Sequence, residues 1–174
     1  MIRIAIGIDP GIRAFGFGII KRDAEQRWVA HHVETVRSLP SLSLHDRLAR
    51  IFKAVDLKVV EALQECPLGE AIIACENQVG VQEGKRARGE TNKDAVLVQQ
   101  VVGMMRVIAF DCEQRFVEPS PAQAKAVLLG IRRTASKAQV QRAVRAMVKD
   151  CPKVMSEHAS DALANALAGA RMVN

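Results

Sequence analysis

Apolar residues fall in two rhythms along this chain. From Ile4 to Asp9 and from Gly16 to Lys21 they run almost without a break, the pattern of buried strands. Pro10-Gly11 between the two runs predicts a tight turn. Trp28 to Val36 alternates, with Trp28, Ala30 and His32 against Val29, His31 and Val33. That predicts a third, half-exposed strand and an antiparallel meander. From Ser43 to about Gln64 the period becomes helical, in Leu44, Leu48, Ile51, Phe52, Val55 and Val59, and Pro67 and Gly69 close the segment. Ala71 to Glu76, AIIACE, predicts a central strand covered on both faces. Gly80 to Asn92 is polar, basic and glycine-bearing, and predicts a long loop. Lys93 to Phe110 is apolar nearly all round and predicts a helix covered on more than one side. A short strand from Arg115 to Glu118 follows, then a short helix from Pro119 to Leu129 with Ser120 as its cap. Ser136 caps a helix to about Lys149, and Ser156 caps a last one to about Met172.

Three strands, helix, strand, helix, strand and helices make an α/β fold. The order predicts a mixed five-stranded sheet, an antiparallel meander and then parallel strands, flanked by helices on both faces. The 174 residues suit one domain, residues 1–174, with no internal repeat or linker. Charge changes the picture: 25 Lys and Arg against 19 Asp and Glu give a net +6, which favours a polyanionic partner. The 3 % aromatic residues and the absence of tyrosine argue against a base-stacking platform for single strands. Recognition of nucleic acid would rest on backbone and shape. No apolar run approaches the roughly 20 residues that span a bilayer, and no N-terminal export signal is visible. Cys66, Cys75, Cys112 and Cys151 have neither zinc-finger nor redox spacing, so reduced thiols and a cytoplasmic location are expected.

The candidate chemistry begins at Asp9. An ionised carboxylate at the end of a buried strand costs free energy unless a cap, a protein cation or a metal compensates it. Glu76 ends the fourth strand, and neighbouring strands lie about 4.8 Å apart, so the two carboxylates can meet. In the last helix His158 and Asp161 are three apart on one face, with Asn165 continuing the stripe. Packed beside the first strand, that helix would bring Asp9, Glu76, His158 and Asp161 together. Three carboxylates at one point do not all stay ionised without a cation. Mg²⁺ takes one or two carboxylates and completes its shell with water and phosphate oxygens. Two such ions, about 3.5–4 Å apart, suit phosphodiester cleavage. Singly, these residues have ordinary explanations: an Asp at a strand end forms turns, and Asp161 in a first turn suits the helix dipole. Their joint placement is what points to a site.

A basic grip accompanies the acids. Lys85, Arg86, Arg88 and Lys93 form one part, and Arg132, Arg133 and Lys137 gather around the helix start at Ser136, where backbone N–H groups also face a phosphate. Arg142, Arg145 and Lys149 follow on that helix, with Val140, Val144 and Val148 turned to the core; such a charge run is as often a solvated face.

Four segments resemble a known family. GIDPGIRAFGFGII resembles the opening of the RuvC Holliday junction resolvases, and ACENQ their second acidic motif. PAQAKAVLLGIRRTASKAQVQRAV resembles their basic segment and EHASDALANAL their closing motif. The match covers nearly the whole chain, in order. It implies an RNase H-like fold and a homodimer with two active sites. It implies nicking of branched DNA, above all the four-way junction, with two Mg²⁺ or Mn²⁺ ions per site. It places catalytic and metal-holding roles on Asp9, Glu76 and Asp161. The remaining catalytic position falls on His158, where many members have aspartate and some histidine. Phosphate contacts fall on Lys125 and Lys137, and no particular helicase partner is named.

The chain departs from the family in two respects. Where an aromatic wedge usually follows the second acidic motif, it carries Val79, Gly80 and Val81, and the basic stretch EGKRARGETNK is longer than usual. Phosphate grip in place of base insertion is the expectation, and broader branched-DNA or flap cleavage stands beside strict junction resolution. Other readings are a junction-binding protein weakened by His158 and an RNase H acting on RNA–DNA hybrids. A phosphotransferase of the actin and sugar-kinase type, whose phosphate loop GIDPG also resembles, needs two such domains.

Overall fold

The period-two pattern of the first strands divides their side chains by size. In β1 (Ile4–Asp9), Ile4, Ile6 and Ile8 enter one core, while Ala5, Gly7 and Asp9 have the opposite parity. In β2 (Ala14–Arg22), Phe15, Phe17 and Ile19 join the same bulky core, and Gly16, Gly18 and Ile20 alternate with them. One sheet face is therefore bulky and the other small. The computed structural model describes residues 1–64, 66–77, 93–130 and 135–173. The basic residues Lys85, Arg86, Arg88, Arg132 and Arg133, and the stretch Val79 to Val81, lie outside them.

β3 (Trp28–Arg37) completes the meander, β4 (Ala71–Cys75) lies parallel to β1, and β5 (Arg115–Val117) lies parallel to β4. The sheet has six strands rather than the expected five, in the order β5-β4-β1-β2-β3-β6. The added strand is β6 (Val148–Lys149), parallel to Trp28 and Val29. The helix expected to reach Lys149 stops at Met147, because Val148 turns extended and its β-branched side chain fills the core beneath Trp28. Trp28 also lies 4.1 Å from the Arg22 guanidinium, measured to the ring centroid. The alternation expected along β3 breaks at His31. Ile19 pairs with His32 and Ile20 with Ala30, so His31 is the extra residue of a bulge. Past it His32 lies against Phe17, in the core opposite to that of Trp28 and Ala30.

α1 (Leu44–Leu63), capped by Ser43, and α2 (Lys93–Asp111) cover the bulky face. α2 buries Val101, Val102, Met105, Ile108 and Ala109. Its opposite stripe runs through Val96, Gly103, Val107 and Phe110 at spacings of seven, four and three; the three apolar side chains are exposed and Gly103 is half-buried. Phe110 is 82 % exposed.

α3 (Pro121–Leu129), α4 (Lys137–Met147) and α5 (Glu157–Met172) cover the small face. α5 is alanine-rich and lies flush on β1 and β2. A Cβ at Gly7 would fall 1.8 Å from the Ala162 carbonyl oxygen, and one at Gly16 would fall 2.0 Å from that of His158. Both backbones occupy space that any side chain would claim.

Gly7→Ala is expected to lower the unfolding free energy by about 1–3 kcal/mol, the usual cost of forcing extra atoms into a packed core. The midpoint of urea denaturation reads this directly, and an unchanged midpoint would mean that α5 can move away freely.

Candidate active site

Strand parity and the close seat of α5 bring the acids to one edge. Asp9, the last residue of β1, shares its parity with Gly7, and Glu76 follows β4 directly. Ser156 caps α5 by accepting from the Ala159 N–H, which fixes where His158 and Asp161 begin. His158 Nδ1 lies 2.6 Å from Asp9 Oδ2, close enough for a charge-assisted hydrogen bond. The Glu76 N–H donates to the Ile8 carbonyl at 3.1 Å, and Asn165 Nδ2 donates to the same oxygen at 2.9 Å.

α3 and α4 bring two lysines to this edge. Each opens with a capping box, Ser120 with Gln123 and Ser136 with Gln139. Lys125, Lys137, Glu76, Asp161 and Asn165 line one open-sided cavity of about 140 Å³. Lys137 pairs with Glu157 at the start of α5. Lys93 opens α2, and Arg142, Arg145 and Lys149 are exposed along α4 and β6.

The electrostatics follow from burial and crowding. Burial pushes the Glu76 carboxyl up to about 7, with the charges of Asp9 and Asp161 adding and Lys125 opposing. Burial pushes Asp161 up to about 6, helped by Asp9 and opposed by Lys137 and His158. Burial also raises Asp9, against the pull of its His158 hydrogen bond and of the His158 and Lys137 charges. The Asp9 charge thus reaches both Glu76 and Asp161.

Among the described residues no three or more His, Cys, Asp or Glu side chains form a ready-made cage for a metal ion. The donor set suits instead a hard cation held by one or two carboxylates and otherwise by water and phosphate oxygens, which is how Mg²⁺ binds. The Asn165 side chain supports this fit. It is buried and lines the cavity, and its Oδ1 has no hydrogen-bond partner among the described residues. Sequence spacing set Asn165 in line with His158 and Asp161 without giving it a role, since nothing in spacing shows that its amide reaches β1.

A mixed sheet opening on a meander, with acids at the ends of β1 and β4 and on the closing helix, defines an RNase H-like nuclease. The family model described as Crossover junction endodeoxyribonuclease RuvC matches residues 5–169, and the chain belongs to that family. It is 30 % identical to the enzyme of that name from Citrifermentans bemidjiense over 166 residues, 94 % of this chain and 90 % of the relative. The Thermus thermophilus RuvC structure matches with a TM-score of 0.74 and 28 % identity, covering 98 % of this chain and 96 % of that one. T. thermophilus RuvC in complex with a Holliday junction substrate matches with a TM-score of 0.76 and 25 % identity, covering 98 % and 94 %. Among the described residues no helix is long and apolar enough to cross a membrane. The four cysteines are all free thiols.

The raised carboxyls set a pH dependence. Between about 4.5 and about 7 the unfolded chain has released the Glu76 proton while the folded protein keeps it. The folded state then binds more protons, and metal-free stability falls as pH rises through that window. Glu76→Gln is expected to raise the melting temperature in EDTA at pH 8 by roughly 3 °C or more, with the gain vanishing near pH 5. Thermal melts of both proteins across pH 4.5–8 measure this.

Proposed function

We propose that this chain is a metal-dependent endonuclease that nicks branched DNA, acting on four-way junctions as a homodimer with symmetric cuts. The observation that carries the reading is the coupled set of Asp9, Glu76 and Asp161 at one sheet edge, with Lys125 and Lys137 beside two of them. The junction bound in the T. thermophilus structure supplies the substrate class.

In this reading Asp9, Glu76, His158 and Asp161 hold the divalent ions, two per site. The chemistry such ions supply when bound is a lowered pKa for an attacking water and neutralisation of charge on the departing 3′ oxygen. Lys125 and Lys137 orient the scissile phosphate over the acids. The hydrogen bond to His158 holds the Asp9 carboxylate against rotation through Oδ2. Glu76, pushed up to about 7, is mixed in protonation near neutrality. A positive ligand or a phosphate-borne cation would draw off its proton. The products carry a 5′ phosphate and a 3′ hydroxyl. Lys85, Arg86, Arg88, Arg132 and Arg133 extend the grip to flanking phosphates, so affinity falls steeply with salt.

The exposed stripe of α2 supplies the dimer contact. Val96, Val107 and Phe110 present apolar surface, and a Cβ at Gly103 would meet nothing within 4 Å in the protomer, so a partner helix can approach there. Phe110→Glu is expected to convert the protein from dimer to monomer in light scattering after size exclusion, with the fold retained by circular dichroism.

A second reading is favoured by the Asp9–His158 contact, which ties up one oxygen of the first acid. It is a junction-binding protein with weakened catalysis. A panel of four-way junction, fork, flap, RNA–DNA hybrid and linear duplex, each with Mg²⁺ and Mn²⁺, separates the two. The expected result is nicking of the four-way junction, faster with Mn²⁺ because imidazole is a softer ligand than carboxylate. Asp9→Asn should abolish nicking and retain binding. Binding without nicking by the wild type would establish the second reading, and preferential cutting of hybrids would sink both.

A further inference from the structure

One oxygen atom joins all three acid-bearing elements. The Ile8 carbonyl, one residue before Asp9, accepts the Glu76 N–H at 3.1 Å and Asn165 Nδ2 at 2.9 Å. Asn165 stands one turn after Asp161 on the same face of α5. Its amide therefore ties α5 to the end of β1 at the same oxygen that ties β4 there. Asn165 is 1 % exposed, which makes the cost of an unpaired polar group there high.

The other end of the amide is unspent. With Nδ2 donating to a carbonyl, the orientation of the group is fixed by chemistry, and Oδ1 is the acceptor that remains. Oδ1 has no partner among the described residues, and the side chain lines the cavity shared by Glu76, Asp161, Lys125 and Lys137. A buried, unpaired acceptor on a residue that lines a charged cavity leaves room for a donor supplied from that side.

We infer that Asn165 is a positioning residue of the active site: its Nδ2 holds the three acids in register through the Ile8 carbonyl, and its Oδ1 accepts a hydrogen bond from a water of a divalent ion bound beside Glu76 and Asp161. The inference rests on the metal-dependent reading above. Outer partners of this kind typically alter metal affinity by about 10–100-fold. A carboxamide suits the place better than a carboxylate. Aspartate at 165 would set a fourth negative charge among the acids and would repel the Ile8 carbonyl.

The test is Mn²⁺ binding by the full-length, metal-stripped protein, read from the electron paramagnetic resonance signal of free Mn²⁺. Wild type, Asn165→Leu and Asn165→Ser are each titrated, and each substitution is repeated in a Glu76→Gln background. The expected result is affinity weakened about tenfold or more by either substitution, with a smaller effect once Glu76 is neutral. A residue that merely packs would lower the unfolding midpoint and leave ion affinity alone. Affinity within twofold of wild type in the folded variants overturns the inference. Absence of Mn²⁺ binding by the wild type overturns instead the reading beneath it. A second readout needs no variant: Mg²⁺ titration should shift the Asn165 side-chain amide resonances of the wild type, and their failure to move while Mg²⁺ binds would also overturn it.

Discussion

The acid edge depends on how closely α5 lies on the sheet. Where Gly7 and Gly16 face it, the helix backbone stands where a methyl group would otherwise sit. That contact fixes the height of His158 over Asp9 and sets Asn165 within reach of the Ile8 carbonyl. A helix raised by the thickness of one side chain would lose both contacts. The alanines of α5 and the small residues of β1 and β2 serve one end: backbone brought against backbone so that short polar side chains can meet.

The same closeness creates the electrostatic tension of the site. Burial raises all three carboxyls, the Asp9 charge adds to the rise of Glu76 and Asp161, and Lys125, Lys137 and His158 offset part of the cost. These three side chains sit on separate helices, α3, α4 and α5. Each of those helices begins at a serine cap, so the offsetting charges are placed by local sequence as much as by tertiary packing. A fold that gathers like charges in this way gives up stability at this edge as they ionise.

Much of this was legible from periodicity. The runs IAIGID and AIIAC read as covered strands, and once they are strands the parity of Asp9 with Gly7 follows from the alternation. Serine caps at 43, 120, 136 and 156 marked four helix starts correctly. What spacing could not reveal was nonlocal. The bulge at His31 depends on how β2 and β3 pair, since nothing in β3 alone breaks its alternation. The two-residue strand at Val148 exists because β3 has an edge left to cover, and so the helix before it ends early. His158 was grouped with the acids, but its hydrogen bond to Asp9 needed the height of α5, which only the glycines of other strands determine.

The chain has one tryptophan and no tyrosine, and Trp28 stacks beneath Arg22 while its strand pairs with Val148. Near-ultraviolet emission of the native protein therefore comes from a single indole one strand in from the β6 edge of the sheet. Pairing of Ile4 with Lys21 and of Arg22 with Trp28 places that indole toward the opposite end of the strands from Asp9. The fluorophore is thus a private gauge of how α4 and its trailing strand are docked, blind to ligand events among the acids and sensitive to the first loosening of the sheet's outer margin.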